Sequence, residues 1–253
     1  MILHILGSGT CVPYERRGSS GYAVKLPKST ILLDCGNGTT WKLGKAGINY
    51  LEVDQIFLSH FHPDHTADLI PFLFATRYAF GSPYGSRREK PLSIWGSKGF
   101  KDFFSALTNA YNGWIMPDNL MIEELEEGIK RFDDFTLNIR RVPHIESSFA
   151  YRIESEGKSL VYSGDTDYSE SLIELAKDAD ILVIECALPG DELKIKGHLT
   201  PNEVAKVVNG STPKKVIITH LYPICDKWNV IDKIKKQVRA EVVLAEDLMK
   251  VEM

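Results

Sequence analysis

The stretch that decides the fold is QIFLSHFHPDHTADL, residues 55–69. An apolar run, Ile56–Leu58, leads into three histidines and an aspartate packed between positions 60 and 65. The whole chain holds seven histidines, so nearly half of them sit in this one segment. Imidazoles so close repel one another once protonated and gain little from burial, and a metal ion is the usual reason to gather them. Pro63 falls between His62 and His65, which is unfavourable in a helix interior. The spacing H-x-H-x-D-H therefore predicts a loop leaving strand 54–59 and turning into the next helix, where side chains can aim at two neighbouring points.

Other segments repeat the arrangement of an apolar strand followed by a ligand-type side chain at its carboxyl end. IRRVPH ends in His144, SLVYSGD in Asp165, ILVIE in Glu185 and KVIITH in His220. Each has an ordinary reading taken singly: a turn residue, a helix cap, a partner for lysine, a core histidine. Open α/β sheets place their sites at the carboxyl ends of strands, so all five strand ends can converge. The coincidence with the 60–65 segment favours a shared metal site over five separate structural roles.

Strand and helix signals alternate along the chain. Strands are expected at 2–6, 22–26, 30–33, 54–59, 92–95, 135–142, 149–154, 159–162, 181–184, 216–219 and 242–244. Helices are expected after Gly38, over 67–78, 98–111, 170–178, 202–209 and 230–238. Thr200, Pro201 and Glu203 form a capping-box start for the helix after residue 200. GSPYGSRREKP, residues 81–91, reads as loop, and residues 111–128 carry no legible chemistry. With no repeat, low-complexity segment or dividing linker, residues 1–253 read as one α/β domain.

Composition limits the alternatives. A chain that is 43% hydrophobic and 25% charged can build a packed core, which excludes a disordered chain. The net charge of −4 argues against a generally basic nucleic-acid binder. Cys11, Cys35, Cys186 and Cys225 are scattered, without a CxxC pair, and read as reduced thiols. The opening MILHILGSGT lacks the basic start and longer apolar core of a signal peptide, and no apolar stretch is long enough to span a bilayer. The expected location is the cytoplasm, with no membrane partner.

His60-x-His62-x-Asp64-His65, followed by His144, Asp165 in SGDT and His220, resembles the metallo-β-lactamase superfamily. The resemblance covers essentially the whole chain and implies a four-layer αββα sandwich, two mixed sheets with helices outside. It implies a binuclear centre in which His60, His62 and His144 hold one ion, Asp64, His65 and His220 the other, and Asp165 bridges them. LGSGTCVP at 6–13, Glu185 in IECAL and His198 in GHLTPNEV are similar to the ribonuclease Z-like phosphodiesterase branch. That likeness implies a glutamate–histidine pair near the scissile phosphate, with His198 assisting proton transfer, Glu185 orienting it, and Asp64 both ligating and orienting the nucleophile. Two such cations can hold a bridging hydroxide, neutralise phosphoryl oxygens and clamp an in-line displacement. Imidazole and carboxylate donors without thiolate suit zinc and also admit manganese or iron.

The implied substrate is a phosphodiester, either an RNA 3′ end or a small or cyclic nucleotide diester. Ribonuclease Z proteins usually carry a protruding Gly- and Pro-rich arm, for which residues 80–91 are short, and HLYP follows the last histidine where tRNA-processing members carry a Ser/Arg segment. Arg16, Arg17, Arg87, Arg88 and Lys90 are the candidate phosphate-binding side chains. Ribonuclease Z relatives are often dimers, and a homodimer is implied on that ground alone. Competing readings are a hydrolase of the same fold acting on a lactone, thioester or sulfate ester, a metal-binding protein without turnover, and a structural zinc site. The last of these generally favours four closed ligands, often including Cys.

Overall fold

The computed structural model describes residues 1–85 and 87–253; Ser86, within the loop expected at 81–91, lies outside the described residues. The first sheet is built from β1 (Ile2–Gly7), β2 (Gly21–Lys25), β3 (Thr30–Cys35), β4 (Gln55–Phe57), β5 (Leu92–Gly96) and β6 (Leu120–Glu124). The second comprises β7 (Gly128–Arg131), β8 (Thr136–Arg141), β9 (Phe149–Ser155), β10 (Lys158–Tyr162), β11 (Ile181–Glu185), β12 (Lys215–Thr219) and β13 (Glu241–Leu244). The final strand, β14 (Lys250–Glu252), returns to the first sheet and pairs antiparallel with β1. Both sheets are mixed and seven-stranded, in the orders β14-β1-β2-β3-β4-β5-β6 and β13-β12-β11-β10-β9-β8-β7. In each, antiparallel pairings on one side give way to parallel ones, from β3 to β6 in the first and from β10 to β13 in the second.

Strand alternation assigns the layers. Ile31 and Leu33 of β3 belong to the core between the sheets, where they meet Tyr151, Tyr162 and Val183. Leu32, between them, faces outward into a second core with Leu43, Phe72 and Phe104. Those residues come from α1 (Thr39–Lys45), α3 (Leu69–Arg77) and α4 (Phe100–Ala110), which cover the first sheet. On the opposite flank α5 (Glu170–Leu175), α6 (Pro201–Ser211) and α7 (Val230–Lys235) pack Leu172, Val207 and Ile234 onto Val161, Leu182 and Val216. Each such fully buried aliphatic side chain contributes about 1.5–3 kcal/mol. The result is the expected αββα sandwich.

Local differences have physical reasons. No strand is expected between 96 and 134, yet β6 and β7 lie there, one edge strand for each sheet. LMIEE and GIKR are charged and half-exposed, so their strand state comes from pairing with β5 and β8 rather than from alternation of apolar residues. The helix expected over 67–78 forms as α3, and the one-turn α2 (Pro63–Thr66) precedes it inside the histidine segment expected as loop. Pro63 sits at its first turn, where a missing N–H costs nothing. The capping box at Thr200 and Glu203 forms as read. Among the described residues no helix is long and apolar enough to cross a membrane.

Candidate metal centre

The site lies where the carboxyl ends of the strands of both sheets meet. β4 delivers His60, His62, Asp64 and His65, and the turns after β8, β10 and β12 deliver His144, Asp165 and His220. All seven predicted ligands come together. Donor atoms of His60, His62, His144 and Asp165 lie within 4.8 Å of one another, as do those of Asp64, His65 and His220. Asp165 sits between the two sets: its Oδ2 is 3.3 Å from Nε2 of both His65 and His220, 3.7 Å from His60 Nε2 and 3.9 Å from His144 Nε2. The Asp64 Oδ2 is 3.4 Å from His220 Nε2 and 3.7 Å from His65 Nε2, while His62 Nδ1 is 3.2 Å from His144 Nε2.

Outer hydrogen bonds fix which nitrogen of each ring faces inward. His65 Nδ1 donates to Asp34 Oδ2 at 2.7 Å and His144 Nδ1 donates to the Gly197 carbonyl at 2.8 Å. Because Ser59 Oγ donates to Asp34 Oδ2 at 2.8 Å, it accepts from His60 Nδ1, 3.0 Å away. Three rings therefore turn an Nε2 lone pair toward the same small space. His60 Nε2 and Asp165 Oδ1 are buried with no hydrogen-bond partner. Converging lone pairs and unpartnered buried acceptors are unfavourable by themselves, and cations offset both. The donor set thus fits divalent ions.

For Asp165 and His60 the electrostatics point the same way. Burial tends to keep Asp165 neutral, but His220 and His65 outweigh it and hold its carboxyl well below the usual range. Burial, then the neighbouring His65, pushes His60 well down and so keeps its imidazole neutral. His65 shows the opposite balance: burial disfavours its charge, and Asp165 and Asp34 prevail. Neutral His60 and ionised Asp165 are in the protonation state that metal binding requires, whereas His65 has a proton to release when its Nε2 ligates.

Asp34 carries no distinguishing signal in the sequence, although ILLDCG, like the five segments above, places a ligand-type side chain at the end of a strand. It is buried and accepts from Ser59 N at 2.6 Å, Ser59 Oγ, Tyr162 Oη at 2.6 Å and His65 Nδ1. Both Asp34 (φ 59°) and His220 (φ 54°) hold left-handed backbone conformations. Such conformations cost on the order of 1–3 kcal/mol each and persist when the surroundings over-determine them. Gly36 is required for a different reason, since a Cβ there would lie 2.1 Å from the Asp64 carbonyl.

Glu185 and His198 also arrive together, beside the seven. Glu185 is buried at the end of β11; its Oε1 accepts from His198 Nδ1 at 2.9 Å and Thr166 N at 2.8 Å, its Oε2 from Leu199 N at 3.0 Å and Ala187 N at 3.1 Å. The His198 ring lies parallel to His220, 5.6 Å between centroids. One of its ring nitrogens lies within 4.8 Å of ligand atoms of Asp165 and His220, and Nε2 is the nitrogen not engaged by Glu185. Burial works against charge on His198, and the Glu185 carboxylate more than compensates, raising its pKa.

The candidate phosphate-binding cations are mostly engaged elsewhere. Arg16 and Arg17 both pair with Asp226, at 3.2 and 2.7 Å. The Arg88 guanidinium is buried and donates to the backbone carbonyls of Leu51, Val53, Lys90 and Pro91. Lys90 lies 3.7 Å from Asp54. Tyr222 is half-buried, its hydroxyl 3.7 Å from Cys11 Sγ, whereas Trp228 is exposed with Lys233 over its ring.

Comparison with known proteins agrees with this geometry. The profile of the Beta-lactamase superfamily domain matches residues 29–221. Ribonuclease Z of Methanothermobacter thermautotrophicus is 27% identical over 305 aligned positions, covering 100% of this chain and 96% of that protein. The probable metallo-hydrolase YhfI of Bacillus subtilis is 28% identical over 246 positions, covering 94% and 93%. Crystal structures of YhfI and of the short form of human tRNase Z superpose with TM-scores of 0.86 and 0.79, at 24% and 23% identity, spanning 98–100% of each chain. The chain belongs to the β-lactamase superfamily, has its metallo-β-lactamase fold, and is similar to the ribonuclease Z-like branch.

Proposed function

We propose that the protein is a binuclear metal-dependent phosphodiesterase. The observation that carries this reading is the placement of Asp165 between two ligand sets, with the Glu185–His198 pair alongside. His60, His62 and His144 would hold one divalent ion and Asp64, His65 and His220 the other, with Asp165 shared. Two such ions, zinc being well suited to these donors and manganese or iron also admitted, supply Lewis acidity and a water of lowered pKa.

The chain's own residues supply orientation and proton transfer. Asp64 is one-tenth exposed at the site's edge, where it can accept a hydrogen bond from the attacking water and align it. As that oxygen bonds to phosphorus, the bond to the leaving oxygen breaks, and His198 Nε2–H gives its proton to the departing oxygen. Glu185 fixes the tautomer and stabilises the ring's charge while it holds that proton. Water then restores the proton to His198.

A small diester is the substrate class favoured over precursor tRNA. The ribonuclease Z alignment spreads over 305 positions, so that protein has stretches with no counterpart among these 253 residues, while the YhfI alignment needs only 246. Four of the five candidate phosphate-binding cations named above already have protein partners. Binding of a polynucleotide draws on several free cations and is steeply salt-dependent.

The test is a panel assayed with zinc- or manganese-loaded protein: bis-p-nitrophenyl phosphate, a 3′,5′-cyclic nucleotide, precursor tRNA, a lactone and an aryl sulfate. Turnover of the two small diesters, with slower or no cleavage of tRNA, is expected. Preferential turnover of the lactone or sulfate, or of nothing, would overturn the assignment, and tRNA as the best substrate would overturn the size preference.

A further inference from the structure

Resting on the phosphodiesterase reading, we propose that Lys194 is a positioning residue that sets both the His198 ring and the His144 ring through one ammonium group. Its Nζ donates to Asp167 Oδ1 at 2.7 Å, to the His198 carbonyl at 2.6 Å and to Glu203 Oε2 at 2.6 Å. An ammonium has three donors, so all three are used, and in three directions. The side chain lies only 28% exposed within the loop before α6.

Each contact leads to a different part of the site. The bond to the carbonyl of His198 pins the backbone that carries the ring held by Glu185. Glu203 is the capping-box residue of α6, whose carboxylate also accepts from Thr200 N at 3.0 Å, so this contact anchors the loop to a rigid helix. Asp167 reaches furthest. Its Oδ2 accepts from Gly197 N at 2.9 Å, and the Gly197 carbonyl in turn accepts from His144 Nδ1. Its own N–H donates to the Pro143 carbonyl at 2.7 Å, immediately before His144.

Gly197 is the tight joint of this relay. Its φ is +94°, and a Cβ there would lie 2.8 Å from His144 Nδ1, so the backbone approaches the ring as only glycine allows. The carbonyl that selects the His144 tautomer is thus steered by Asp167, and Asp167 is steered by Lys194. Lys194 touches no predicted ligand side chain, which is why its spacing in KIKGH carries no signal in the sequence. An arginine could not reproduce the arrangement, because a planar guanidinium cannot aim three donors tetrahedrally.

The discriminating experiment compares Lys194→Met with wild type on two diesters that differ in leaving group. Cleavage of a cyclic nucleotide releases an alkoxide that needs a proton, whereas bis-p-nitrophenyl phosphate releases a phenolate that leaves without one. With the fold intact by circular dichroism and metal saturating, kcat should fall about 10–100-fold on the cyclic nucleotide and less than about threefold on the nitrophenyl ester, with KM little changed. Zinc affinity, measured by calorimetry, should weaken by about tenfold through His144. Asp167→Asn should weaken zinc similarly, and the double variant should add little to either single one.

Equal losses on both diesters, unchanged zinc affinity, or additive losses in the double variant would overturn the proposal. Should Lys194→Met fail to fold, Lys194→Gln carries the same comparison. If wild type cleaves neither diester, the phosphodiesterase reading fails by itself. The zinc affinity and the imidazole 15N shifts of His144 and His198 then decide the positioning role: changes in the variant support it, and identical values overturn it.

Discussion

The molecule contains two carboxylate–imidazole pairs of nearly equal length in very different surroundings. Asp34 and His65 meet at 2.7 Å with both side chains wholly buried; Glu185 and His198 meet at 2.9 Å with the histidine 13% exposed. In both, the carboxylate is saturated by other donors and serves to fix a ring rather than to react. The difference lies in what the far nitrogen can reach. His65 Nε2 faces Asp165, Asp64 and His220 from a wholly buried ring, and a cation can take that nitrogen as the ring gives up its proton. His198 borders the same cluster and is the partly exposed ring of the two. Under the proposed function one chemical motif would serve two tasks, and the exposure of the ring would separate them.

Replacing the exposed ring should have the largest catalytic effect. His198→Ala is expected to lower kcat by about 10²–10⁴-fold on a diester with an alkoxide leaving group while the protein keeps its metals. Parallel kinetics and elemental analysis check this, and a variant with full activity would remove the proton-transfer role. The buried pair should respond in the opposite sense. Asp34→Asn turns one acceptor toward Ser59, Tyr162 or His65 into a donor, and is expected to weaken zinc affinity about 10–100-fold. Activity should recover at high zinc, as a titration of rate against free metal will show. The smallest effect belongs to the scaffold beside the exposed pair: Thr200→Ala should cost about 1 kcal/mol in a urea melt through loss of the α6 cap, with metal affinity preserved.

Much of this was legible in the sequence because metal-ligating side chains are chemically conspicuous. The seven ligand candidates and Glu185 could be placed at or just beyond strand ends from the apolar runs before them, and His198 by the family likeness of GHLTPNEV. Asp34 obeyed the same rule, yet a single aspartate after LL differs in no visible way from one that merely caps a turn. Only the folded chain places Ser59 and Tyr162 against it. Lys194 was hidden for the same reason, since its three partners lie at residues 167, 198 and 203. Strands β6 and β7 escaped because pairing at sheet edges, rather than side-chain periodicity, makes LMIEE and GIKR extended. Pro63 correctly excluded a helix through the whole histidine segment, but a proline at a first turn permits the single turn that is seen.

The central claim is that these side chains gather to hold two ions with Asp165 between them, and a calorimetric zinc titration of chelator-stripped protein tests it most directly. Two equivalents per chain are predicted for wild type, with a clear loss of stoichiometry or affinity in Asp165→Ala. Less than one equivalent in wild type, or binding that Asp165→Ala leaves unchanged, would contradict it.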